Sequence, residues 1–79
     1  MQIVKESIIK KHLYENGEHT SYTEKIEQYY YDSREERSEH ARQMTEKGFE
    51  DSGQVKENVG TIMNPELVWF GSYYKYERN

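Results

Sequence analysis

Three histidines, His12, His19 and His40, are the side chains best suited to metal or proton chemistry in this cysteine-free chain of 79 residues. His12 and His19 flank an Asn16-Gly17 dipeptide, the strongest two-residue hairpin signal in the sequence. Such a turn puts both imidazoles on one face, two pairs apart, with His19 opposite Tyr14. A zinc ion takes three or four protein ligands, and no third donor at metal spacing stands nearby. The expectation is a solvated hairpin tip with no metal and no cofactor. His40 falls on the inner side of the one clear helix, where it should be half-buried and donate to a tyrosine hydroxyl or a backbone carbonyl.

The carboxylates offer no better chemistry. Glu35, Glu36, Glu39, Glu46, Glu50 and Asp51 alternate with Arg34, Arg37, Arg42 and Lys47, as on an ordinary solvated helix face. A catalytic pair needs one acid raised by burial or by a like charge in a cleft, and such a face supplies neither. No nucleophile elbow, phosphate-cradling glycine loop or Ser/His/Asp arrangement accompanies them. The chain is read as a non-enzyme with no small-molecule substrate.

The elements that would position these residues form a single domain, 1–79, near the lower size limit for folding alone. Without cysteine there is no disulfide or thiolate-zinc staple, so tight packing or a partner chain must supply stability. Hydrophobic and charged residues each make up 33% of the chain, a balance bordering on disorder, but eight Tyr, two Phe and one Trp supply large burial areas. The net charge of −4 opposes duplex nucleic acid. No apolar run approaches membrane-spanning length and no signal-peptide core follows Met1, which makes the cytoplasm the expected location and a membrane role unexpected.

A helix is predicted from about Arg34 to Lys47. Ser33 and Glu36 form a capping box, and Gly48 followed by Phe49 matches a left-handed cap with an apolar contact back to Met44. Its inner stripe is thin: Ala41 and Met44 are its aliphatic members, with Arg37, His40 and Gly48 beside them. Downstream, 54–63 and 67–76 read as a hairpin around Asn64-Pro65. Upstream, 3–15 pairs with 18–31 around Asn16-Gly17, although Glu15 then opposes Glu18 and Glu6 opposes Glu27. The rival for 3–14 is a helix with Val4, Ile8, Ile9, His12 and Leu13 at helical spacing, and the hairpin is preferred. The predicted fold is α+β, ββαββ: two antiparallel hairpins forming one sheet, with a single helix packed on one face.

Alternation sorts the side chains into two faces. Ile3, Ile9, Leu13, Ile26, Tyr30, Val55, Val59, Val68 and Phe70 share the more aliphatic one, which is expected to lie under the helix. Ile62, Leu67, Trp69, Tyr73, Tyr29 and Tyr31 share the other, with Ile8 and Tyr14 at its edge. One helix covers one face of a sheet, so this second set is the candidate partner-binding surface. Tyrosine and tryptophan are the types that concentrate at interface cores. A second copy, giving a homodimer, or another protein partner is the expected occupant. The alternative is single-stranded nucleic acid stacking on the same aromatics, helped by Lys5, Lys10, Lys11, Lys56, Lys75 and Arg78. No RNA-recognition sheet motif supports it.

Overall fold

A computed structural model describes residues 1–78. The chain runs β1 (Gln2–Glu15), β2 (Glu18–Tyr31), α1 (Arg34–Glu46), β3 (Glu50–Asp51), β4 (Lys56–Asn58) and β5 (Leu67–Arg78). All five strands belong to one antiparallel sheet of order β1-β2-β5-β3, with β4 also on β5. The α+β class and the ββαββ order of the main elements follow the sequence reading.

Asn16 (φ 51°) and Gly17 (φ 80°) both adopt positive φ, as a type I′ turn demands, and close the hairpin with Glu15 opposite Glu18. The register is the expected one from Lys5 to Glu15, including the facing pair Glu6 and Glu27. A bulge at Val4 then shifts the ladder and sets Ile3 opposite Tyr29, which moves Ile3 to the other face.

The helix ends where its caps say it should. Ser33 Oγ accepts the Glu36 N–H at 3.1 Å, while the Glu36 carboxylate takes the N–H of Asp32 at 3.3 Å, one residue before the usual capping-box partner. Gly48 sits at φ 90°, and the Phe49 N–H reaches the Met44 carbonyl at 3.0 Å.

Two expectations are corrected. The downstream hairpin is far shorter than 54–63 with 67–76, since only Lys56–Asn58 ladders onto β5. The Asn58 carboxamide accepts the N–H groups of Gly60 and Glu66, and Thr61 Oγ1 accepts that of Asn64. Side-chain acceptors thus take the donors a longer ladder would use. Ile62 consequently lies in the loop, 97% exposed, and belongs to neither sheet face.

The second correction concerns the helix. It packs on the tyrosine face, and the face expected beneath it is the one left bare. Tyr29, Tyr31, Tyr73 and Met44 form the buried core, with Ala41, Phe49 and Trp69 packed against them. The inner side of α1 is Arg37, His40 and Met44, and two of those three need polar partners. An aliphatic face would have left them unsatisfied at roughly 1–3 kcal/mol or more each. Here Tyr31 meets His40, while Arg37 finds the Phe70 and Gln54 carbonyls and the Asp51 carboxylate beside the tyrosines.

Candidate protein-interaction surface

The covered face is held by a hydrogen-bond chain. His40 Nδ1 and the Tyr31 hydroxyl are 2.5 Å apart, and the Tyr31 and Tyr73 hydroxyls are 2.9 Å apart. Burial pushes the imidazole of His40 below its ordinary value, with Lys47 adding to the effect, and pushes the phenols of Tyr29, Tyr31 and Tyr73 upward. All of these groups are therefore held neutral. Gly71 makes the packing possible: a Cβ there would collide with the Tyr73 ring. Beside this cluster, Arg37 donates to the Phe70 carbonyl at 2.9 Å, to the Gln54 carbonyl at 3.0 Å and to both Asp51 oxygens at 3.0 and 3.1 Å. One buried guanidinium thus ties α1, β3, β5 and the 52–55 loop together. Spacing alone had put Arg37 on the thin inner stripe; its role as a staple depends on Asp51, 14 residues away.

The expected partner-binding residues are consequently dispersed. Tyr29, Tyr31 and Tyr73 are buried inside the protomer, Tyr73 completely. Trp69 is half-buried with the Lys56 ammonium 4.5 Å from its ring. Leu67 is 62% exposed at the start of β5, and Ile62 is out in the loop. These six do not make one surface, and the tyrosines proposed as base-stacking platforms are covered as well. Several of the cations meant to serve them are engaged: Lys11 with Glu24 at 2.6 Å, Lys75 with the Lys47 carbonyl at 3.0 Å.

The contiguous surface is the other face, built in rows across β1, β2 and β5. Lys11, Tyr22 and Arg78 share one row; Ile9, Glu24 and Tyr76 the next; then Ser7, Ile26 and Tyr74. Further along come Lys5, Gln28 and Ser72, then Gln2, Tyr30 and Phe70. Tyr22 and Tyr76 meet edge-on at 5.9 Å, as do Tyr74 and Tyr76. Phe70 is buried against Tyr30, whose ring lies 6.0 Å away. The neighbouring carboxylates of Glu57 and Glu50 raise the phenols of Tyr30 and Tyr74 respectively. At the distal end a cleft of about 530 Å³ opens between Leu13, Thr20, Tyr22, Tyr76 and Arg78.

The rows were legible in the alternation, since Ile9, Leu13, Ile26, Tyr30, Val68 and Phe70 had been sorted to this side. The same alternation places Tyr22, Tyr74 and Tyr76 here, more aromatics than a single helix covers. The helix contacts β5, β3 and β2 and leaves β1 untouched. At the hairpin tip His12 Nδ1 lies 2.9 Å from His19 Nε2, with Tyr14 stacked on His19 at 4.8 Å. Among the described residues no group of three metal-ligating side chains occurs, and no helix is long and apolar enough to cross a membrane.

No family model, curated protein or solved structure matches the chain.

Proposed function

We propose that this chain is a non-enzymatic interaction module that binds protein, a second copy of itself first of all, through the helix-free face of its sheet. One observation carries the reading. A compact monomer of 9.6 kDa is expected to expose about 5,100 Å². This chain exposes 5939 Å². The excess, roughly 840 Å², is close to the ~800 Å² that each partner contributes to a standard interface. The shape agrees, with a radius of gyration of 15.8 Å against the ~11.6 Å typical of a 79-residue domain.

The exposed area has the right chemistry for protein. Ile9, Leu13, Ile26, Tyr22, Tyr74 and Tyr76 present apolar and aromatic surface, and the carboxylate of Glu24, in the middle, is already neutralised by Lys11. Static light scattering of the pure chain at rising concentration tests the reading. A mass above that of one chain is expected, with Tyr74→Glu shifting the equilibrium back by at least about tenfold because it buries an unpaired charge at the contact. A Tyr74→Glu protein that associates as tightly as the wild type contradicts the proposal. A pure chain that stays monomeric and instead shows salt-sensitive binding to a single-stranded oligonucleotide replaces it with the nucleic-acid reading.

A further inference from the structure

We infer that β1 is a second, independent joint between two copies of this chain, pairing antiparallel with its symmetry mate in a register centred on Ile8. The inference goes beyond the helix-free face, because it rests on the edge of the sheet.

β1 is the outer strand, 14 residues long, and every residue except Ser7 is exposed. A two-residue type I′ turn is closed by a hydrogen-bonded pair, here Glu15 and Glu18. Alternation along an antiparallel ladder then leaves the N–H and C=O groups of Glu6, Ile8, Lys10, His12 and Tyr14 pointing away from β2. Among the described residues no other strand receives them, because β1 pairs there with β2 alone.

An open edge of this kind is a template for another strand. Natural edges are guarded by lysine, proline and bulges, and β1 has both lysines and the bulge at Val4. The placement of Lys10 decides between guard and joint. Two-fold pairing of continuous sheets must set outward-pointing residues opposite one another, so only registers that pair even with even positions are allowed. Centring on Ile8 sets Ile8 against itself, 65% exposed in the single chain, and sets Glu6 against the partner's Lys10 twice over. Centring on Ser7 loses both ion pairs. Centring on Ile9 puts Ile8 against Lys10 and Glu6 against His12. In the favoured register Lys5 faces the partner's Lys11, also twice over, but each Lys11 is already held by Glu24 at 2.6 Å.

The symmetry axis stands perpendicular to the sheet, so both helix-free faces fall on the same side and form one double-width surface. The helix packs on β5, β3 and β2 and reaches this edge only at its start, where the Met1 ammonium pairs with Glu36 at 2.8 Å, so the stretch from Glu6 to Lys10 is open.

Because the chain has no cysteine, single thiols map the register cleanly. Opposed residues in a hydrogen-bonded pair lie about 5.5 Å apart at Cα, within the ~4.4–6.8 Å span of a disulfide. Ile8→Cys is expected to form a disulfide-linked dimer under mild oxidation, whereas Ser38→Cys on the exposed side of α1 does not. Glu6→Lys and Lys10→Glu should each raise the dissociation constant of the dimer by about tenfold, and combining them should restore wild-type association, since the swap rebuilds both pairs. Circular dichroism confirms that these surface variants are folded. Failure of the double variant to recover, or linkage at Ser38→Cys equal to that at Ile8→Cys, overturns the edge register. Either result leaves the helix-free face standing if Tyr74→Glu still weakens association. A chain monomeric at every concentration overturns both.

Discussion

The two faces of this sheet carry similar aromatic loads and meet opposite fates. On one, Tyr29, Tyr31, Tyr73 and Trp69 lie under or beside α1; on the other, Tyr22, Tyr30, Phe70, Tyr74 and Tyr76 have no helix over them. Hydrophobic content does not explain the choice, since the bare face also holds Ile9, Leu13, Ile26 and Val68. The covering element decides. A helix presenting Arg37 and His40 inward can be buried only where hydroxyls and carbonyls meet it, and Tyr31, Tyr73 and the Phe70 carbonyl do so. A thin, polar helix therefore selects the polar-tipped aromatic face and leaves the more aliphatic one bare.

Neighbouring tyrosines on β5 break the comparison most sharply. Tyr73→Ala empties the core and is expected to cost about 3–5 kcal/mol, close to everything a domain of this size has. Tyr74→Ala, one residue on and facing the other way, should cost the protomer about 1 kcal/mol or less. Urea denaturation of the two variants side by side checks the difference. Similar losses would mean that the faces are not distinct.

Arg37→Ala comes next. It takes the guanidinium from two backbone carbonyls and leaves the Asp51 carboxylate only the Gly53 N–H, and a loss of about 3 kcal/mol is expected in the same assay. A smaller effect, about 1–3 kcal/mol, is expected from Gly71→Ala, because the added methyl displaces the Tyr73 ring. Near-ultraviolet circular dichroism should report that displacement. Ser72→Ala, next to Gly71 on the bare face, removes only a hydroxyl that accepts from Gln28 and should leave the spectrum nearly unchanged.

The smallest effects are in pH. His40 is held neutral in the fold with its value depressed by burial. The unfolded chain therefore binds the proton first, and stability falls as pH drops below the ordinary imidazole value of about 6.5. The buried phenols are raised, so stability also falls above the ordinary tyrosine value of about 10, where the unfolded chain ionises first. Thermal midpoints across pH should form a plateau between these limits. His40→Gln should remove the acidic shoulder alone.

Much of this architecture was legible in the sequence because its signals are local. Asn16-Gly17 fixed a register, Ser33 and Gly48 bracketed the helix, and alternation sorted most side chains to the correct face. A tyrosine hydroxyl was one of the partners read for His40; what local pattern could not reach was which face the helix would take, since that depends on which tyrosine it is, Tyr31, and on Arg37 meeting Asp51 and the Phe70 carbonyl. Ranking faces by aliphatic content inverted the answer and sent the candidate site to six residues of which three, Tyr29, Tyr31 and Tyr73, are core. The short β4 escaped for a related reason: Asn58 spends its side chain on the N–H groups of Gly60 and Glu66, and periodicity does not register side-chain competition for a ladder.

Solvent accessibility followed by NMR with a soluble paramagnetic probe, as the concentration of the intact chain is raised, tests the central claim most directly. The side chains of Ile9, Leu13, Ile26, Tyr22, Tyr74 and Tyr76 should become shielded together while Tyr31 and Tyr73 stay shielded throughout. Unchanged exposure of the first group at concentrations where the chain is shown to be associated would contradict it.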